Sequence, residues 1–198
     1  RNSLLIIVIC VPVLVALALV ISLGLSFGIR AVRKTRFAFV LPMVIPTASA
    51  VLIWQSVFTD TSTPLPVYLL FIWKNIGICI VLLTAAFTAI DGSIFEAARL
   101  DGAGKFKLHT KITIPMVMPT IFFTVLLSIV NSFKIFKESY LFFGTNYPPD
   151  HSYTLQYYMN NNFLKLDYQS LASAAVLTSV LVFLIVMGGL AVQRRYRQ

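Results

Sequence analysis

The chain has 198 residues, of which 58% are apolar and 12% charged, and it carries a net charge of +9. A soluble domain rarely exceeds about half apolar residues, and here the charges cluster and leave long uncharged runs. That pattern excludes a soluble globular protein, and the continuous runs exclude a β-barrel, whose strands alternate. The basic excess reads as the flanks of membrane spans rather than as a nucleic-acid face, because no soluble surface exists to carry one.

A span needs about 20 mostly apolar residues. The first run, Leu4–Ile29, exceeds the apolar core of about 7–15 residues that a signal peptide carries. It reads as a span of a protein expected to extend further towards its N-terminus. Pro12 is tolerated inside it if a neighbour satisfies the freed carbonyl. Gly24 and Gly28 form a GxxxG, a pattern that permits close helix contact and is common by chance. Cys10 and Cys79 lie in apolar runs without metal-ligand spacing and read as small packing residues.

The basic stretch Arg30, Arg33, Lys34, Arg36 leads into a second span over 37–58, with Pro42, Pro46 and Trp54. After a polar turn, a third span covers 67–90 and holds Lys74 and Asn75. A loop over 91–113 precedes a fourth span at 115–130. A polar, aromatic stretch follows, then a fifth span at 170–192 and a basic end. Eleven of the sixteen Lys and Arg residues flank one side of this arrangement and four the other, with Lys74 inside a span. The bias places the loop and the C-terminus in the cytoplasm. The fold class is an all-α, polytopic helical bundle of about five spans.

The loop over 91–113 carries the most information. Ser93 and Glu96 have the spacing of a capping box. Ala97, Ala98 and Leu100 favour helix, and Gly102 supplies the positive-φ residue that ends it. The predicted product is a helix of about two turns whose Ala97 and Ala98 surface admits a close partner. A second short helix is predicted over 105–111, with Pro115 restarting the chain into the membrane. The run Gly102–Lys105 imitates a phosphate-binding loop but lacks its first glycine and the hydroxyl after the lysine. His109 and His151 are isolated, so no metal site is arguable.

The loop reads Glu96-Ala97-Ala98, three residues, Gly102, nine residues, Ile112, one residue, Ile114, Pro115. This resembles the signature of ATP-binding-cassette (ABC) importer permeases, with Ile114 where the family usually has Leu. The flanking LDGA and ITIP, the entry RFAFVLPMVIP, and Thr154, Leu155 and Tyr158 extend the resemblance to the carbohydrate-importer branch, and to its first permease subunit. Asn146-Tyr147-Pro148-Pro149 departs from the family's GGP. The resemblance implies a type I importer permease fold in the plasma (inner) membrane. It implies a coupling helix in which Glu96, Ala97, Ala98, Arg99, Asp101, Gly102 and Ala103 meet an ATPase dimer. It also implies a second, non-identical permease and an extracytoplasmic solute-binding protein. ATP and magnesium belong to the ATPase, and this chain needs no cofactor of its own.

Candidates for the solute path are Lys74, Asn75, Asn131, Lys134, Glu138 and Tyr140, with Tyr157, Asn160 and Asn161 as further polar groups. Amides, carboxylates and aromatic faces suit sugar hydroxyls and rings. For Lys74, path lining, snorkelling to the headgroups and a structural hydrogen bond all remain open. A permease for another solute, such as a glycerophosphodiester or amino acid, is the alternative. A channel would not need the loop signature, and an enzyme lacks any catalytic cluster.

Overall fold

The computed structural model describes residues 2–27, 36–59 and 62–195. Arg30, Arg33, Lys34 and Arg197, part of the charge argument, lie outside them, as does Gly28. The described residues are helical throughout, joined by turns. Helix α1 is Asn2–Phe27, α2 Arg36–Val44, α3 Thr47–Val57 and α4 Leu65–Thr88. The loop helix α5 is Gly92–Leu100, and α6 is Lys105–Leu108. A π-helical turn, His109–Thr113, joins α6 to α7, Ile114–Ser132. Then follow α8, Phe136–Phe143, α9, Leu155–Leu164, and α10, Tyr168–Arg195.

Among the described residues, four helices are long and apolar enough to cross a membrane: 2–27, 65–88, 106–132 and 168–191. The segment expected as one second span is instead two helices, α2 and α3, bent by 111° at a break. Pro46 explains the position of that break. It has no N–H to give, and its ring disfavours helix at the residue before it. The predicted second helix over 105–111 does not stop before Pro115 either. The π turn takes up the extra residue, and the helix runs on through α6 into α7. Pro115 directly follows the π turn, where the backbone register shifts, and as a proline it gives no N–H to the ladder there.

The core lies where α1, α4 and α7 meet. Leu14, Leu70, Ile80 and Leu83 are fully buried there, and Phe71 and Phe87 nearly so. In lipid there is no hydrophobic drive between helices, so close packing and polar links hold them. The Ser22 hydroxyl donates to Ile80 O at 3.3 Å, and Cys79 Sγ lies 3.6 Å from Ser128 Oγ. Gly77 lets α2 approach closely, since a Cβ there would sit 2.6 Å from Phe39 O. Gly189 on α10 does the same against Leu126, whereas a Cβ at Gly24 would meet nothing within 4 Å. At its start, α1 is stitched to the α9 end of the bundle: Asn2 Nδ2 donates to Tyr153 O at 2.8 Å, and Leu155 N–H donates to Ser3 Oγ at 3.2 Å.

Candidate functional site

Helix α5 is built by its two ends. Its N-cap is Asp91, in extended conformation, whose carboxylate accepts from Ser93 N–H at 3.0 Å. The capping box expected from Ser93 to Glu96 is therefore not formed, because the helix begins earlier and Ser93 is already inside it. An Asp oxygen at the N-cap satisfies an otherwise orphan N–H and carries negative charge to the positive helix end. Those hydrogen bonds from Ser93 hold the Asp91 carboxyl below its ordinary pKa. At the other end Gly102 takes φ +76°. Gly102 N–H donates to Arg99 O at 3.0 Å, and Ala103 N–H donates to Ala98 O at 2.9 Å. Both bonds of a Schellman closure are present, and the last carbonyls are satisfied.

The faces of α5 divide sharply. Ala98 is buried within the chain, while Glu96, Ala97, Arg99 and Asp101 are exposed. Of the alanine pair, only Ala97 is therefore open to a partner. Leu100 is 90% exposed and Phe106, across the Gly102 turn, 82%. Two large apolar side chains thus stand outward beside charged residues at a loop. Sequence reasoning missed them. The available signal was angular: Phe95 and Ala98 share one face at a spacing of three, which puts Leu100 on the opposite one.

An aromatic cluster seats α5 on the bundle. Phe27, at the end of α1, lies 5.3 Å from Phe95 of α5, 5.0 Å from His109 of the π turn and 6.1 Å from Phe87 of α4. Beneath it Thr113, fully buried, donates to Leu108 O at 3.3 Å. One ring of α1 therefore touches the loop helix, the root of α7 and the end of α4. Displacing α5 must displace all three, because packed interiors do not deform gradually.

A second polar group lies near the middle of α4. Lys74 Nζ donates to Ile45 O at 3.1 Å and to Thr47 Oγ1 at 3.1 Å, across the break between α2 and α3. Ile45 O is a carbonyl that the bend has freed, and an ammonium is a strong donor for it. Of the three possibilities for Lys74, the structure makes the hydrogen bond. Asn75 Nδ2 donates to Phe71 O at 2.9 Å, and Asn131 Nδ2 donates to Asn75 Oδ1 at 3.3 Å. Glu138 lies within electrostatic reach of Lys74.

Comparison with known proteins decides the family. Residues 2–198 match the family described as binding-protein-dependent transport system inner membrane component. The chain belongs to this family. Among curated relatives, it is 33% identical over 114 residues to the lactose transport system permease protein LacF of Rhizobium radiobacter, covering 57% of this chain and 38% of that protein. It is 34% identical over 143 residues to the glucose import system permease protein GlcT of Saccharolobus solfataricus, covering 70% and 49%. In these matches and that to the arabinooligosaccharides permease AraP of Bacillus subtilis, the chain spans between about a third and a half of the relative's length. A crystal structure of a bacterial ABC transporter for import of the acidic polysaccharide alginate shares the fold, with a TM-score of 0.76 over 98% of this chain and 77% of that one, at 20% identity. A further structure of an alginate ABC transporter, in complex with a pentasaccharide-bound periplasmic protein, matches with a TM-score of 0.75, also at 20% identity.

Within this inner-membrane family fold, the predicted residues separate into groups. Glu96 through Ala103 form one capped knob. Lys74 reaches the α2–α3 break, Asn75 and Asn131 are hydrogen-bonded to each other, and Glu138 lies within electrostatic reach of Lys74. Lys134 is exposed in the turn before α8. Tyr140 packs at a tilt against Phe136 and Tyr157, with ring centroids at 5.4 and 6.4 Å. The amides of Asn160 and Asn161 both donate to Asn146, at 3.2 and 3.0 Å, and so close a loop. Among the described residues no group of His, Cys, Asp and Glu could hold a metal ion.

Proposed function

We propose that this chain is a permease subunit of an ATP-driven importer, forming half of the path for a sugar or sugar-like solute. The observation that carries it is the loop: a family signature folded into a rigid helix, capped at both ends, that presents Leu100 and Phe106 outward. Large exposed apolar residues ringed by charge are what a protein partner buries. The partner is a separate ABC ATPase, which binds ATP and magnesium; this chain itself is a transport subunit, not an enzyme. Glu96 and Arg99 pair with opposite charges across that contact and fix its register. The loop and the C-terminus face the cytoplasm. A second, non-identical permease completes the path, and a solute-binding protein delivers at the far side. The lactose and glucose transport of these relatives favours a carbohydrate cargo, and Asn75, Asn131 and Glu138 offer donors and acceptors for hydroxyls.

Co-expression with the ATPase subunit tests this. Leu100→Asp and Phe106→Asp are each expected to abolish co-purification while the permease still reaches the membrane. Full retention of the ATPase by both variants would overturn the docking assignment. On the assembled complex, neutral oligosaccharides delivered by the binding protein are expected to stimulate ATP hydrolysis. Stimulation by a glycerophosphodiester or amino acid instead would replace the cargo and leave the architecture standing.

A further inference from the structure

The break between α2 and α3 is held by a side chain from elsewhere in the chain, and the two halves have different neighbours. Helix α2 lies on α4, with Phe39 O against Gly77. Helix α3 packs chiefly on α8 rather than on α4. Gln55 of α3 donates to Leu141 O and Phe142 O at 3.3 and 2.7 Å, the last carbonyls of α8. Helix α8 in turn follows α7 after one short turn, and α7 begins at the loop knob. Thus α2 rests on α4, while α3 rests chiefly on α8, with a further contact to α4 where Trp54 lies 5.9 Å from Trp73. At the break itself the Ile45–Pro46 link and the Lys74 ammonium join the two halves. Space flanks the moving half as well. A cavity of about 460 Å³ lies beside Pro42, Trp54 and Trp73, and another of about 260 Å³ beside Trp54, Val57 and Phe58.

We propose that Ile45–Pro46 is the hinge of a gate and that Lys74 is its releasable latch. When the loop knob drives α7, α8 carries α3 with it, and Lys74 lets go of Ile45 O and Thr47 Oγ1. The bend between α2 and α3 then changes, while α2 stays on α4. Such a latch works because a charge-assisted bond to a freed carbonyl is strong while made, and the Glu138 carboxylate on α8 lies within electrostatic reach of the ammonium. A hinge of this kind is a two-state element whose balance the ATPase biases. Lys74 is a positioning residue here, and it acts on backbone rather than on solute. The inference rests on the proposed coupling to an ATPase.

Spin labels at Ser56→Cys on α3 and Val81→Cys on α4 read the gate in the complete complex in lipid nanodiscs; the native Cys10 and Cys79 are buried. The wild-type label pair is expected to give two distances whose ratio changes between nucleotide-free and ATP-trapped states. Lys74→Met is expected to shift the nucleotide-free ratio about tenfold or more towards the trapped-state distance, as the loss of two charged hydrogen bonds implies. Lys74→Arg should restore the wild-type ratio. Thr47→Val, which leaves the lysine in place, should shift it part of the way, and it serves if Lys74→Met does not assemble. A single distance unchanged through the cycle in a transporting complex would overturn the hinge alone, as would a Thr47→Val or Lys74→Met ratio equal to wild type. A wild-type complex that never recruits an ATPase would instead overturn the coupling on which the hinge rests.

Discussion

Gly102 gives the sharpest test of the loop. Its φ of +76° is the left-handed region, and a Cβ placed there meets nothing within 4 Å. A substitution therefore strains the backbone without any clash inside this chain. For an L-residue that strain is about 1–2 kcal/mol. It opposes a turn held by two hydrogen bonds, so the capped loop falls in population by up to about 5–30-fold. Asn tolerates the left-handed region better than Ala, and a β-branched residue tolerates it least. Docking strength should thus run Gly102, then Gly102→Asn, then Gly102→Ala, then Gly102→Val. Titrating purified ATPase onto nanodisc-embedded permease, with affinity read by interferometry, measures the series. If crowding in the partner's cleft decided instead, the smaller Ala would outperform Asn. Gly102→Ala binding like wild type, or Asn binding worse than Ala, refutes the reasoning.

The remaining predictions follow the same geometry. Gly77→Ala forces a Cβ to 2.6 Å from a backbone carbonyl, whereas Gly189→Ala meets the movable end of Leu126 at 2.5 Å. Gly77→Ala should therefore lower thermal stability in detergent by about 1–3 kcal/mol and Gly189→Ala by clearly less; equal melting shifts would contradict this. Phe95 faces the bundle, so Phe95→Ala should leave ATPase docking intact. It should cut solute-stimulated ATP hydrolysis roughly fivefold, the value of about 1 kcal/mol for an aromatic contact. Loss of docking itself would show that Phe95 faces the partner. The Asp91 carboxyl titrates below its ordinary value in the folded loop. Its capping is thus fully present above the ordinary carboxylate range and is lost as pH falls through the lowered folded value. Asp91→Asn, an equally good cap, should remove that acid sensitivity from the loop's amide-exchange protection, and Asp91→Ala should lower protection at every pH. A pH dependence that persists in Asp91→Asn would assign it to another group.

What the sequence disclosed depended on how local the determining forces were. The knob was legible because a glycine in the left-handed region and the helix-favouring Ala97, Ala98 and Leu100 act within a few residues of themselves. Its cap was misassigned between two local candidates. Asp91 prevails over Ser93 because its carboxylate reaches Ser93 N–H from outside the helix and answers the helix dipole with a full charge. The break at Pro46 was hidden by averaging, since a hydropathy run does not distinguish a straight span from a bent one. Pro42 lies within α2 without ending it, and Pro46 coincides with the break. The difference is the donor waiting for Ile45 O, and that donor comes from a lysine 29 positions away. Long-range partners of this kind also fixed the roles of Gln55, Asn131 and Phe27, and none of them has a signature in the linear chain.

A single rod connects the two ends of this arrangement. From Phe106 to Ser132 the helix is unbroken for 27 residues, roughly 40 Å at 1.5 Å per residue. At its root it shares the Phe27 cluster with the knob, and at its tip it passes through one turn into the helix that holds Gln55. The π turn at His109–Thr113 sits at that root. A π turn is a local excess of one residue that can be relocated at low cost, and such turns recur at functional sites. Thr113 and His109 line its inner side, with His109 Nδ1 and Thr113 Oγ1 3.4 Å apart. Under the proposed coupling, a force applied at Leu100 and Phe106 enters the bundle where its main rod is least regular and leaves at the break, where Lys74 bonds the backbone. Between these points the rod packs on α1 and α4 through buried Val117 and the Cys79–Ser128 contact, and on α10 through Leu126. The two irregular places are where this fold can bend, and the packed stretch between them is what makes bending at one felt at the other.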